Sequence, residues 1–403
     1  MINLRFKALL GAGCISVAMM GGAQAGGFSR GSADTDIIFE PGNFNMRSSV
    51  TYVSPTRKFN KNGNPRLIGT NYAEDYIIPS FAAKFNLTDN LRCAGTLVNN
   101  NGGNARYASP TLSGKISEEF TTYESALTCG LGFDAGQGKF WLLGGGFMEK
   151  FEYNRVNSYA ALGMGNATLN LDGQKYGFRI GAAYEIPDIA LRAQLMYRSG
   201  TKYGADGNLN APAGVLFAAT AGTPLQAQFA RIIAASPLGK NTPVDVPAIG
   251  VGALPQSVEF KLQSGIAPGW LAFGSVKWTD WSQLTTLDVR SKSAGFTISQ
   301  DKYFWKDGWT VTGGVGHAFN DKVSGFASLT WDQGVGTGWD ITGDTYTVAV
   351  GGSAKDGIGG EFRGGVGFSY LGAGEETNYA PGTNQGVKAG YAIAFNAGYS
   401  LKW

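Results

Sequence analysis

From residue 387 to residue 403, apolar positions alternate with small or polar ones. Val387, Ala389, Tyr391, Ile393, Phe395, Ala397, Tyr399, Leu401 and Trp403 form one set. Lys388, Gly390, Ala392, Ala394, Asn396, Gly398, Ser400 and Lys402 form the other. A period of two puts the sets on opposite faces of one strand. Strands of soluble sheets run to roughly 5–6 residues, far fewer than this. A long strand with one apolar face and one small or polar face predicts a membrane-spanning β-barrel.

The same alternation recurs upstream. Ile77, Phe81 and Phe85 oppose Ser80, Lys84 and Asn86; Tyr123, Leu127 and Leu131 oppose Glu124 and Thr128. Tyr176, Phe178 and Ile180 oppose Lys175 and Arg179, and Phe362, Val366 and Phe368 oppose Glu361 and Arg363. Short turns such as 88–90, 134–138 and 354–357 alternate with long connections at 57–75, 102–116, 154–172, 200–256, 289–301, 332–343 and 371–386. The pattern predicts an all-β, antiparallel transmembrane barrel of about fourteen strands, an even number that leaves both ends on the periplasmic side. The last strand is expected to close the sheet by pairing with the first, near 46–54. A secreted β-solenoid or sandwich is the alternative.

One connection breaks the rule that outer loops are polar. Residues 211–236 are mostly apolar, and Leu225, Phe229, Ile232 and Ile233 fall on one helical face. A partly helical, apolar loop either packs on its neighbours or offers a landing site to a hydrophobic molecule. Leu216, Phe217, Phe229, Ile232 and Ile233 are the candidate capture residues.

Composition supports a barrel in the outer membrane of a Gram-negative cell. There are 61 glycines, 12% aromatic residues and 16% charged ones. Arg5 and Lys7, the apolar stretch 8–20 and the small-x-small site Ala23-Gln24-Ala25 read as a cleaved export signal. No later stretch reaches the roughly 18 apolar residues of a membrane helix. The expected organisation is a signal peptide at 1–25, a short hatch or plug at 26–45 and a barrel at 46–403. Losing the leader removes two cations and no anion, so the formal charge falls from +3 to +1. Nothing in that balance suggests nucleic-acid binding; the expected surroundings are outer-membrane lipid.

Catalytic chemistry is not expected. His317 is the single histidine, beside a turn, and no nucleophile accompanies it. Gly144-Gly145-Gly146 lies within a strand and is not a phosphate loop. No cofactor or metal site is expected, and the chain reads as a channel. Cys93 and Cys129 fall at similar heights on neighbouring strands, on the outward face. They form either a cross-strand disulfide in an oxidising periplasm or two small lipid-facing residues. The inward set carries charges of both signs, including Lys84, Arg92, Glu124, Arg179, Glu185, Arg192, Glu259, Lys261 and Arg363, which suits ladders of paired charges. Arg198, on the strand leading into the apolar loop, is the first candidate to bind a carboxylate head group, followed by Lys202 and Arg231.

Three segments carry a resemblance. The first is Leu195-Met196-Tyr197-Arg198-Ser199-Gly200-Thr201-Lys202, the second Leu254-Pro255-Gln256-Ser257 with Val276-Lys277-Trp278-Thr279-Asp280-Trp281-Ser282-Gln283, and the third the aromatic final strand. Together the chain resembles the FadL-type long-chain fatty acid transporters of the outer membrane. The resemblance implies a fourteen-stranded barrel with an N-terminal hatch, passive uptake of long-chain fatty acids or similar hydrophobic carboxylates, and recognition of the final strand by the barrel-assembly machinery. It also implies lateral exit at a kinked third strand, here Asn99, Asn100, Asn101, Gly102 and Gly103, residues that make poor ladder segments. A pore for aromatic hydrocarbons and a structural or adhesive surface barrel are the alternatives. The hatch departs from the family pattern: it is about half the usual length, and Glu40-Pro41-Gly42-Asn43 stands where an Asn-Pro-Ala motif is usual.

Overall fold

The alternating segments close into one antiparallel barrel of fourteen strands. The computed structural model describes residues 26–292 and 295–402; the expected export signal, 1–25, and the terminal Trp403 lie outside the described residues. The strands are β1 (Phe44–Thr56), β2 (Tyr76–Asn86), β3 (Leu91–Arg106), β4 (Lys115–Ala135), β5 (Gly138–Ser158), β6 (Asn166–Ile186), β7 (Leu191–Arg198 and Thr201–Pro212), β8 (Pro243–Leu254 and Ser257–Ala267), β9 (Trp270–Thr279 and Thr286–Ser291), β10 (Thr297–Lys302 and Gly308–Ala318), β11 (Val323–Asp332), β12 (Thr345–Lys355), β13 (Gly360–Leu371) and β14 (Gly390–Lys402). β14 pairs back onto β1, with Met46 opposite Leu401 and Tyr52 opposite Phe395. This closure removes both sheet edges.

The two faces separate as the alternation requires. Ile77, Leu127, Leu142, Ile180, Leu262 and Leu329 stand exposed on the outer surface, where lipid covers them. Cys93 lies directly opposite Cys129 between β3 and β4, and the two are joined, with sulfurs 2.04 Å apart.

Strand ends differ from the sequence reading. β4, β5 and β6 each run 21 residues, about twice the 9–11 needed to cross a bilayer. The expected loops 102–116 and 154–172 therefore shrink to 107–114 and 159–165, and 200–256 shrinks to 213–242. Above the membrane the outward face meets water, so the ladder continues after the apolar alternation has stopped. The final strand is shorter than its pattern. Gly386–Val387 instead joins Phe59–Lys61 and Gly374–Glu375 in a small three-stranded sheet over the outer rim. Val387 is buried there with Phe59 and Leu67.

The plug threads the lumen. It ends at residue 43, because Phe44 already belongs to β1. A 3-10 turn, Thr35–Phe39, buries Ile37 and Ile38 against Trp141, Leu143 and Ala183. Five barrel cations hold this segment. Arg47 pairs with Asp34 at 2.8 Å, and Lys261 and Arg192 reach Asp36 at 3.4 and 3.6 Å. Lys84 donates to the carbonyls of Glu40 and Gly42 at 2.7 and 2.6 Å, and Arg92 to that of Ile38 at 3.2 Å. Many inward charges read as cross-strand ladders therefore grip the plug instead.

Candidate functional site

Above the plug, on the side of the long connections, lies a cavity of about 700 Å³. Its floor is aromatic. Phe28, near the start of the plug, meets Phe120, Trp305 and Tyr303 with ring centres 4.6, 4.8 and 5.5 Å apart. Phe151, Tyr153 and Tyr203 form one wall, with Phe151 and Tyr203 at 4.9 Å. Leu254, Leu284 and Leu287 form another. Tyr72 and Tyr107 stack above with Phe59. These residues come from the plug, five strands, two connections and the breaks inside β9 and β10, so no single stretch of sequence displays the site.

The cavity is acidic in balance. Lys115 and Lys302 line it, but so do Glu118, Asp301, Asp340 and Glu376. Lys115 lies between Glu118 and Asp301, and Arg155 also reaches Asp301, at 3.4 Å. Lys302 lies over the Trp339 ring, 4.9 Å from its centre. Asp340 accepts from the Trp305 indole, and burial pushes its carboxyl above the usual range. Burial pushes the Glu376 carboxyl up to about 7, although the Gln385 backbone N–H donates to it at 2.7 Å. Among the described residues, no group of His, Cys, Asp and Glu side chains is arranged to hold a metal ion.

The sequence candidates lie elsewhere. Arg198 is held by two buried carboxylates, Glu124 at 2.7 Å and Glu149 at 2.9 Å. It therefore completes a wall network and has no free fork for a ligand head group. Lys202 points outward from β7, between the buried Thr201 and Tyr203, because successive strand residues face opposite sides. Arg231 is exposed on a loop helix. None of the three lines the cavity.

The apolar connection folds into two helices, α1 (Ala213–Ala219) and α2 (Pro224–Ala235). Leu216 and Phe229 are buried in the barrel's upper core, and Ile232 packs against it. Ile233 is half-buried and Phe217 exposed. These five cap the barrel beside the cavity and do not line it.

The wall is irregular where the third strand was expected to kink. Asn99 faces Tyr123 and Asn101 faces Thr122, so Asn100 is an extra residue, a bulge. On its other edge, β3 pairs with β2 only as far as Val98, opposite Ser80. Beyond that the plug takes over. Arg30 N donates to Asn100 O at 2.9 Å, Gly31 N to Asn99 O at 3.0 Å, and Gly102 N to Phe28 O at 2.8 Å. The plug thus stops a gap in the wall, and Gly103, at its upper end, lines the cavity. A second interruption breaks β7 at 199–200 and β8 at 255–256, side by side, where Pro255 has no N–H for the ladder.

Sequence reasoning missed Phe28, Phe151, Tyr203, Trp305 and Glu376. The run Tyr303-Phe304-Trp305 was the one available signal, and it lies just past the end of an expected loop.

A family model described as outer membrane protein transport protein (OMPP1/FadL/TodX) matches residues 50–351. The chain belongs to this family. Its members are transport channels of the Gram-negative outer membrane and not enzymes, and this chain is an outer-membrane transporter of hydrophobic compounds. A Pseudomonas aeruginosa FadL homologue superposes with a TM-score of 0.72 at 15% identity, covering 96% of this chain and 97% of that one. The Pseudomonas putida toluene transporter TodX gives 0.62 at 14% identity, covering 97% and 98%. The Ralstonia pickettii toluene transporter TbuX gives 0.58 at 10%, covering 90% of each. At these identities the likeness is one of fold. No protein of curated function matches the chain.

Proposed function

We propose that the cargo of this channel is uncharged, and that aromatic hydrocarbons are the class that suits it best. The observation that carries this is the cavity itself: an aromatic floor beneath four carboxyl groups and two ammonium groups. A fatty-acid carboxylate would add a fifth acid there. Lys115, one of the two cations, is already shared by Glu118 and Asp301. A neutral ring loses nothing by this arrangement and gains apolar contact at about 25 cal/mol per Å², with edge-to-face contacts in addition.

The route begins at the outer rim beside α1 and α2 and continues through the cavity. It leaves through the gap between β2 and β3 once residues 28–31 move aside. No energy source is needed, since the cargo moves down its gradient. Lys302, which has no ion pair among the described residues, supports long-chain fatty acids as a second reading.

Competition binding to the purified barrel, followed by quenching of tryptophan fluorescence, tests the choice. p-Xylene is expected to quench at lower concentration than oleate. Tighter binding of oleate, abolished by Lys302→Gln, would establish the second reading instead.

A further inference from the structure

Gly252, Ala253 and Leu254 of β8 all line the cavity. In an unbroken ladder only alternate residues would do so. Ala253 lies opposite Lys202 on β7 and shares its outward face. The same consecutive lining, by Gly103, Asn104 and Ala105, occurs where β3 has lost its partner strand.

The ladder on the other side of β8 explains this. β8 and β9 pair from Ala248 opposite Ser291 to Val251 opposite Asp288, and pairing resumes only where Ser257 meets Thr279. Between these points residues 252–256 face residues 280–287. Among the described residues a single backbone hydrogen bond crosses, from Asp280 N to Gln256 O at 3.0 Å. The surplus chain of β9 forms a 3-10 turn, Trp281–Gln283, that buries the Trp281 ring against Trp305, with ring centres 5.1 Å apart. Side chains alone fill the gap left in the wall. Leu284 and Leu287 are buried and line the cavity, and a Cβ on Gly252 would lie 3.2 Å from Cδ1 of Leu287.

The gap sits at the upper edge of the apolar belt. On β8, Val251 above it and Phe260 and Leu262 below it are exposed apolar residues. Lys202, exposed beside Ala253, stands where a cation reaches lipid head groups. We infer that this gap is a lateral entrance, through which a hydrophobic molecule dissolved in the outer leaflet passes into the cavity without re-entering water. It lies nearly across the barrel from the gap between β2 and β3, so cargo enters through one wall and leaves through the other. Opening it breaks no ladder bond, because only leucine side chains must change rotamer, as side chains do even in packed interiors. The entrance serves whichever hydrophobic molecule the channel carries.

The test uses a probe that cannot come in by the loops. The barrel is reconstituted in nanodiscs containing a phospholipid whose shortened acyl chain ends in a phenyl diazirine. Irradiation expels nitrogen, and the carbene inserts into a nearby bond; adducts are located by mass spectrometry. Adducts are expected on Leu284 and Leu287, besides those on lipid-facing residues such as Val251 and Val276. Ala253→Trp, which places a large ring over the gap, is expected to abolish the two leucine adducts and to leave that on Val276. Should Ala253→Trp fail to assemble, Leu287→Ala decides the matter: it widens the gap and is expected to raise the yield on Leu284 severalfold. Adducts confined to lipid-facing residues, inward adducts only beside Gly103 and Phe120, or an unchanged yield in Leu287→Ala would each overturn the inference.

Discussion

The Tyr203 hydroxyl donates to Oε2 of Glu149 across 2.6 Å. Tyr203 lines the cavity, while Glu149 is fully buried in the wall. Glu149 also accepts from Thr201 at 2.7 Å, from Arg198 at 2.9 Å and from the side-chain amide of Asn100. One carboxylate thus joins the cavity wall, the break in β7 and the bulge in β3. Glu149→Gln removes a charge that faces Arg198 in a dry setting, a change that typically costs about 3–5 kcal/mol. Tyr203→Phe removes one bond to a charged acceptor, about 1.5–3 kcal/mol. The temperature at which the folded band disappears on semi-native electrophoresis is expected to fall for both variants, and more for Glu149→Gln. Wild-type behaviour of Glu149→Gln would show that the network does not hold the wall.

The Cys93–Cys129 bond spans a sequence separation of 36. A closed loop of that size is worth about 3–4 kcal/mol in the chain-entropy account. Protein isolated without reductant is expected to carry no alkylatable thiol and to weigh two hydrogens less than its reduced form. The Cys93→Ala, Cys129→Ala pair is expected to assemble with a lower melting point. Two free thiols in the untreated protein would reject the bond.

Face alternation was legible because lipid and lumen impose opposite demands on neighbouring residues. That is why Leu127 and Glu124, or Ile180 and Arg179, were assigned to the correct sides. Partnerships inside the lumen were not legible. Whether Arg192 meets Glu185 or Asp36 depends on the path of the plug, and that path leaves no periodic trace in residues 26–43. Arg198 had the composition of a ligand-binding residue, and only the register of β4, β5 and β7 places Glu124 and Glu149 beside it. The cavity was hidden for the same reason, since Phe28, Tyr203 and Trp305 line it together although each lies a hundred residues or more from the others in the chain.

Phe217 and Phe229 sit on adjoining loop helices with opposite exposures. Phe229 is 6% exposed in the upper core and Phe217 is 36% exposed. Phe229→Ala is expected to cost about 3–5 kcal/mol, as large-to-small changes in cores do. Phe217→Ser is expected to leave the melting point unchanged and to slow uptake of labelled p-xylene at low external concentration, where capture limits the rate. Equal effects on stability would mean that the helices do not pack as described, and unchanged uptake in Phe217→Ser would remove the loop from the capture step.

Glu376 gives the cavity a pH response whose sign follows from burial. Its carboxyl titrates at about 7, against 4.5 for the free side chain. The stability associated with its protonated form is fully present below about 4.5 and is lost as the pH rises through about 7. Binding behaves alike. A neutral molecule seated beside Glu376 excludes more water, disfavours the anion further and so couples binding to proton uptake. Affinity for p-xylene is expected to strengthen as the pH falls from 8 to 6, by at most about tenfold per unit above 7, and to level off below. Glu376→Gln keeps the size and the Gln385 contact but cannot ionise, so most of this dependence is expected to vanish; Asp340, also shifted upward by burial, accounts for what remains. Titrations of both proteins by fluorescence quenching at matched salt measure the effect. Affinity that rises with pH, or an unchanged profile in Glu376→Gln, would show that the ligand sits away from this carboxyl.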